Sequence, residues 1–539
     1  MSRSSLLFQE KLPRSLLVLL SLAIAIGILF RFIALDRKVY WFDEVYTNLR
    51  AAGYRVGEVK SRLFQNQIFT APQLQQYQTL KPNSTVQDTL QSLVQEDAQH
   101  PPLYFLLARV WMQQFGGSIV ASRSLPVLLS LLALPAMYAL AWELFHSQLV
   151  SWLAMAVLAL SPFDILFAQT ARQYSLLTVL IIVSSCFLLR AITTRSAGFW
   201  IAYSFVTIFG FYTHPFFGLT SVGHAAYILL NYTSLNQLRR GQVPEPRNFL
   251  IAIALALIPC IPWIQVIISG FEQISVSTGW TKESVSGLYA AKLWLLGFTS
   301  LLVDINPQPE TLWMYLLRIP FALLIVYALY WVSQTASREA RLFILTSIFV
   351  PFIMLLLPDL LMGGKRSIVT RYLISCFPGV QLAVSYLLAT HINTKRFSLV
   401  NGALIWRGVL VIVLTASIVS CSLSAVADTW WSKGVSYFNA EVANQLNQAE
   451  SPIVVIDQGN QHLNFGNTLS LSYRLKDDVQ LLLVNQTPDL GLIPAAATVY
   501  SFAPSDQLLQ MLSTWVEKQP GRRLEQINPQ AGLWKISAN

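Results

Sequence analysis

Long apolar runs separated by short polar stretches recur along the chain from Ser15 to Val426. Crossing bilayer hydrocarbon as a helix takes roughly 17–25 mostly apolar residues. Runs of that kind lie near 15–35, 122–145, 149–166, 174–192, 198–213, 215–231, 249–271, 311–332, 341–358, 371–390 and 405–426. The pattern predicts a membrane all-α protein, a polytopic helical bundle of about eleven transmembrane helices. Pro135, Pro259 and Pro262 fall inside spans. A bundle tolerates them when neighbouring helices satisfy the freed carbonyls. The first run is too long for a signal-peptide core and lacks a small-residue cleavage site, so it reads as a retained anchor.

Between the runs, two stretches are apolar but interrupted. His100-Pro101-Pro102-Leu103-Tyr104 leads on to Trp111 and Phe115, broken by Arg109, Gln113 and Gln114. It predicts a helix lying in the membrane interface. Val285 to Phe298, with Lys292 and Trp294, predicts a second. From Asp428 the character changes. Ile453 to Ile456, Gln480 to Val484 and Thr498 to Phe502 read as short strands. Val435 to Gln448 and Asp506 to Lys518 read as helices, and Arg523 to Ile536 reads as a hairpin around Asn528-Pro529-Gln530-Ala531-Gly532. The expected domains are a transmembrane domain, 1–427, with a large first loop at 36–121, and a small α/β domain, 428–539. The small domain has no Gly-rich phosphate loop, and no chemistry is assigned to it.

Composition agrees with the pattern. Hydrophobic residues make up 54% and charged residues 12%, and mean hydropathy is +0.50, which excludes a soluble globular protein. Cys186, Cys260, Cys376 and Cys421 all lie in apolar runs and read as small buried hydrophobes. The net charge of +10 matters through its distribution. Arg3, Lys11, Arg14, Arg190, Arg195, Arg239, Arg240, Arg247, Arg338, Arg341, Lys395, Arg396 and Arg407 all fall on one side if the spans alternate. Lys and Arg favour the cytoplasm, so the N-terminus is expected inside. The loops 36–121, 272–310 and 359–370 and the tail from about 428 then lie outside, on a plasma (inner) membrane.

Candidate chemistry gathers on that outer face. Asp43 and Glu44, in Tyr40-Trp41-Phe42-Asp43-Glu44, sit just past the first span. Carboxylates beside a bilayer are costly unless paired, hydrated or working. They are candidates for acid–base work; the structural alternative pairs them with Arg37 or Lys38. Arg123, Arg172, Lys365, Arg366 and Arg371 lie at outer span ends, against the positive-inside bias. An anionic ligand would explain them, since the Arg fork matches phosphate; the alternative is snorkelling to headgroups. His100 and His214 lie on the same face.

Taken together these elements resemble a known family. Trp41-Phe42-Asp43-Glu44, His100-Pro101-Pro102-Leu103-Tyr104, Ala121-Ser122-Arg123-Ser124-Leu125-Pro126, Ser161-Pro162-Phe163, Ala171-Arg172-Gln173-Tyr174, Tyr212-Thr213-His214 and Arg371-Tyr372-Leu373 occur in order over about the first 390 residues. They are similar to the polytopic C-superfamily glycosyltransferases that use lipid-linked sugars, in the branch of protein O-mannosyltransferases and aminoarabinose transferases. The resemblance implies inverting transfer from a polyprenyl-phosphate-linked sugar donor to a glycan, lipid or protein acceptor. Asp43 and Glu44 would be catalytic. Arg123, Arg172, Lys365, Arg366 and Arg371 would bind the donor phosphate. His100, Tyr174, His214 and Tyr372 would bind substrate. Thr170-Ala171-Arg172 stands where relatives often have Glu-Ala-Arg, so the acidic partner in that motif is absent.

The implied mechanism is chemically coherent. A positioned carboxylate takes the acceptor's proton, and fixed cations stabilise the departing phosphate. Inversion needs no covalent intermediate. Neither a metal nor another cofactor is required, and no nucleic-acid partner is expected. Two rivals stay open: a polysaccharide polymerase or ligase using lipid-linked glycans, and a lipid or solute transporter. The first favours a large loop late in the chain, and the second favours midplane charges and repeat symmetry. Neither feature is evident here.

Overall fold

A computed structural model of the chain describes residues 12–232, 245–305, 311–393, 402–460, 463–494 and 498–538. Arg3, Lys11, Arg239, Arg240, Lys395 and Arg396, expected on the cytoplasmic side, lie outside the described residues. The chain forms two compact units. The first comprises Met1–Ile33, Asp97–Tyr104 and Arg123–Ala425, and the second Ala34–Glu96, Phe105–Ser122 and Val426–Asn539.

The first unit is helical, and nine of the eleven expected runs coincide with single helices. Seven helices among the described residues are long and apolar enough to cross a membrane. An eighth candidate is the pair Gln148–Leu160 and Pro162–Ala168, bent by 55°. Ala197–Thr213, Phe217–Tyr232 and Phe377–Ile392 are shorter. The run expected at 371–390 begins as a helix only at Phe377, because Thr370–Ser375 is a tight 3-10 turn.

The bend after Leu160 has a local cause. Pro162 has no N–H to give to Leu158 O, and Phe163 N–H goes instead to Ser300 O at 3.1 Å. The carbonyls of Leu158 and Ala159 accept from the Arg31 guanidinium, which also bonds Ser130 Oγ at 3.2 Å; Leu158 O accepts in addition from Ser161 N–H at 3.4 Å. A buried arginine in the first span thus satisfies backbone that lipid could not. The close approach requires Gly27, where a Cβ would fall 2.2 Å from Ala159 O.

The second unit is built on a six-stranded sheet: β1 (Gln67–Phe69), β2 (Pro452–Ile456), β3 (Gln480–Leu483), β4 (Thr498–Phe502), β5 (Arg522–Asn528) and β6 (Leu533–Ala538), in the order β1-β3-β2-β4-β6-β5. β2 is parallel to β3 and β4, with Val454 opposite Leu481 and Tyr500. The expected strands and hairpin are present, and the edge strand β1 comes from the first loop, antiparallel to β3.

Alternation along the strands serves two cores. Val454, Ile456, Leu481, Leu483 and Tyr500 face the helices Phe42–Ala51 and Asn464–Ser472. Ile453, Val455, Leu482 and Val499 pack with Leu508, Leu512 and Val516 of the helix Asp506–Glu517. Within this unit the guanidinium of Arg109 donates to Ala51 O at 3.2 Å and Ser84 O at 2.7 Å.

Candidate active site

Two sets of candidate residues are organised by the fold, one in each unit.

In the second unit, the helix Phe42–Ala51 carries Asp43 and Glu44 in its first turn, where carboxylates favour the helix dipole. Val45 and Leu49 bury its inner face in the sheet's core. Its N-terminal segment is pinned at several points. Val39 N–H donates to Asp428 O at 2.8 Å, Phe42 N–H donates to Ser436 Oγ at 3.0 Å, and Ser470 Oγ donates to Tyr40 O.

The two acids then differ. Glu44 is fully buried; its Oε2 accepts from Trp41 N–H at 2.9 Å and from Lys433 Nζ at 3.0 Å. Lys433 is itself 1% exposed. Glu44 is thus a helix cap and half of a buried ion pair. Asp43 is partly exposed. Arg37, considered as a partner for the acidic pair, lies 3.8 Å from Asp428 instead.

In the first unit, His100, Arg172, Tyr174, His214, Arg371, Tyr372 and Lys365 form one continuous cluster. Gln169 positions the Arg172 turn by donating through Nε2 to Phe30 O and Ile33 O, both at 2.8 Å. Arg172 Nη2 lies 3.0 Å from His100 Nε2, and His100 Nδ1 lies 2.8 Å from Asp97 Oδ1. A guanidinium can only donate, so Nε2 accepts and the proton sits on Nδ1, facing Asp97. Asp97 thereby supplies, through His100, the acid that Thr170 does not.

The cluster continues through aromatic rings. Arg172 lies 6.0 Å from the Tyr174 ring, and Tyr174 and His100 each lie 6.3 Å from His214. The His214 ring lies 4.9 Å from that of Phe216 at a tilt of 57°, and Phe216 meets Tyr372 edge-on at 4.6 Å. Phe216 N–H donates to His214 Nδ1 at 3.0 Å, so the His214 proton sits on Nε2. Burial holds the His214 imidazole well below its usual pKa, and the neighbouring His100, Arg172 and Arg371 push the same way. Arg371 lies over Tyr372 at 5.5 Å and over Trp280 at 5.6 Å. Lys365 lies 5.6 Å from the Trp280 ring and 2.5 Å from Glu283.

Lys365 and Arg366 belong to a loop that Asp359 holds. Its carboxylate accepts from Arg366 Nη1 at 3.0 Å and Ser367 N–H at 2.7 Å. Lys365 N–H donates to Thr281 O at 2.8 Å. At Gly364, φ is +146° and a Cβ would lie 2.6 Å from Asp359 Oδ1, so only glycine fits. Arg366 is therefore tied into the loop's own framework. Arg123 is 1% exposed, on the helix Ile119–Phe145. No group of three or more His, Cys, Asp or Glu among the described residues is arranged to hold a metal.

Asp97, Trp280 and Lys433 were not singled out in the sequence. Asp97 could have been found three residues before His100, a helix-turn spacing; nothing local marks Lys433 as the partner of Glu44.

Comparisons with known proteins bear on this arrangement. Residues 99–265, which hold His100, Arg123, Arg172, Tyr174 and His214, match the family model of dolichyl-phosphate-mannose-protein mannosyltransferase. The structure is similar to that of ArnT from Cupriavidus metallidurans bound to undecaprenyl phosphate. The two are 13% identical over 97% of this chain and 98% of that one, with a TM-score of 0.51. The apo state of ArnT gives 0.50 at the same identity and coverage. The oligosaccharyltransferase of Archaeoglobus fulgidus, tethered to an acceptor peptide, is 11% identical over 87% of this chain and 64% of that one, with a TM-score of 0.47. No curated protein sequence matches the chain. The chain has the fold of ArnT, with helices long and apolar enough to cross a membrane.

Proposed function

We propose that the protein transfers a sugar from a polyprenyl-phosphate donor to an extracytoplasmic acceptor, with inversion. One observation carries this reading: Arg172, nearly 200 positions from Lys365 and Arg371, shares a single cluster with those two cations and with His100 and His214. Concentrating cations in this way costs self-repulsion, offset at Lys365 by Glu283, and a phosphate would relieve the remainder. ArnT, whose fold this chain shares, was crystallised with undecaprenyl phosphate, a ligand of that chemistry.

In this mechanism Arg172, Arg371 and Lys365 hold the donor phosphate and stabilise its charge as the glycosidic bond breaks. Arg123 is a fourth cation, assigned from the resemblance. His100 and Asp97 orient Arg172. His214, neutral with its proton on Nε2, donates to the sugar or phosphate. Asp43 takes the proton from the acceptor's nucleophile. Glu44 holds the Asp43 helix through Lys433, and Arg366 holds the Lys365 loop through Asp359. The N-terminus lies in the cytoplasm, and Asp43, the cationic cluster and the tail lie outside.

The test is steady-state kinetics with donor and acceptor varied in turn. Arg371→Lys keeps the charge and loses the fork, so donor KM rises while acceptor KM holds. Arg371→Gln also lowers kcat. Unchanged donor dependence in both variants overturns the phosphate assignment. Movement of lipid or solute across proteoliposomes, without transfer, would replace the enzyme reading with the transporter one.

A further inference from the structure

The second unit has a polar crevice at the carboxyl ends of its three parallel strands. The chain passes from β2 to β3 on one side, then crosses back over β2 to β4 on the other. Helix Asn464–Ser472 follows β2 and packs on one face, while helix Asp506–Glu517 follows β4 and packs on the opposite face. Loops leaving β2 and β4 therefore part above the sheet, which is where open α/β sheets bind ligands. A crevice of about 380 Å³ opens there, lined also by Lys60 and Phe64 at the helix Val56–Leu63.

Its polar groups are fixed, and several are unspent. Asp457 Oδ1 accepts from Gly459 N–H and Ser505 N–H, both at 3.1 Å, which locks the loop after β2 to the start of the following helix. The other Asp457 oxygen, the Gln458 amide and the Lys60 ammonium have no hydrogen bond or ion pair among the described residues. Lys60 is partly buried, and that burial lowers its pKa against the pull of Glu96.

The ligand's chemistry follows from what is already taken. At the start of the helix Asp506–Glu517, Ser505 N–H bonds Asp457, Asp506 N–H bonds Asn460 Oδ1 at 3.0 Å, and Leu508 N–H bonds Ser505 Oγ at 3.1 Å. An anion there would compete with the fold's own bonds and meet two carboxylates. A neutral hydroxyl, which both donates and accepts, suits a carboxylate, an amide and an ammonium at once. Phe64, Pro488 and Met511 supply apolar surface for the C–H face of a sugar ring.

We infer that this crevice binds a short neutral saccharide, the glycan part of the acceptor. The saccharide's role as acceptor rests on the glycosyltransferase reading; its binding does not. The test uses full-length Asp43→Asn protein in lipid nanodiscs, which cannot turn over on that reading. It is applied to immobilised oligosaccharides of glucose, mannose, galactose and xylose, to uronic-acid and phosphorylated counterparts, and to serine- and threonine-containing peptides. Neutral oligosaccharides should bind, and Lys60→Ala and Asp457→Asn should each weaken binding by about tenfold, as loss of a charged hydrogen bond does. The amide introduced by Asp457→Asn keeps an Oδ1 acceptor for the loop, so the second variant should stay folded. Absence of neutral saccharide binding, binding indifferent to both variants, or peptide binding in its place overturns the inference. Transfer activity in the wild-type protein without saccharide binding would sink this inference alone and leave the enzymatic reading standing.

Discussion

His100 accepts a hydrogen bond from Arg172 at 3.0 Å while giving its other ring proton to Asp97 at 2.8 Å. The imidazole thus passes the influence of a buried carboxylate to a guanidinium that no acid in its own motif supports. His100→Ala should release Arg172 and raise donor KM by about tenfold, the usual cost of a hydrogen bond to a charged group. Asp97→Asn keeps an acceptor for Nδ1–H and should have a smaller effect. Donor-varied kinetics check both, and equal acceptor KM values in all three proteins distinguish lost positioning from general damage.

His214 makes stability depend on pH. Its folded-state pKa lies well below the usual imidazole value, through burial first and then through His100, Arg172 and Arg371. The unfolded chain therefore binds a proton in the interval between the two pKa values that the folded chain does not. Stability should fall as pH drops through the ordinary imidazole range towards the depressed folded value. Thermal unfolding in detergent across that window should show a shallower decline for His214→Gln than for wild type. Identical slopes would mean the ring is not buried neutral.

Glu44 and Lys433 give a different signature. Both are almost fully buried and lie 3.0 Å apart. Glu44→Gln leaves an ammonium buried without its counter-charge and should cost about 3–5 kcal/mol. Pairing it with Lys433→Met should recover most of that loss. The activity remaining per folded molecule should stay within a few-fold of wild type, because Glu44 holds the helix and takes no proton from the acceptor. Chemical denaturation and active-fraction titration measure the two effects.

Much of the helical unit was legible because lipid imposes length and hydrophobicity together: nine of the eleven expected runs coincide with single helices, 149–166 is a bent pair and 371–390 starts as a 3-10 turn. The bend at Pro162 was not anticipated, since the carbonyls of Leu158 and Ala159 are satisfied by Arg31, about 130 positions away. The tail strands were visible as short apolar runs. β1 was not, because Gln67-Ile68-Phe69 is three residues long and becomes a strand only by pairing with β3. Among site residues, the outer cations stood out by defying a charge bias. Lys433 did not, because its meaning lies in a contact with Glu44 across nearly 400 positions.

Orientation is open to direct measurement. The four native cysteines are buried and should not compete with an introduced one. A cysteine at Lys518 should react with a membrane-impermeant maleimide in intact cells. One at the exposed Arg195 should react only after permeabilisation. The reverse pattern would invert the assigned topology and put Asp43 in the cytoplasm.

The central claim is that Asp43 accepts the acceptor's proton during transfer from a polyprenyl-phosphate sugar. The direct measurement is single-turnover transfer of radiolabelled sugar by purified wild-type and Asp43→Asn proteins in nanodiscs, with donor binding measured alongside. The amide is nearly isosteric and cannot take the proton. The account predicts unchanged donor binding and a rate lower by about 10²–10⁴-fold, the usual contribution of a positioned base. An Asp43→Asn rate within tenfold of wild type would contradict it.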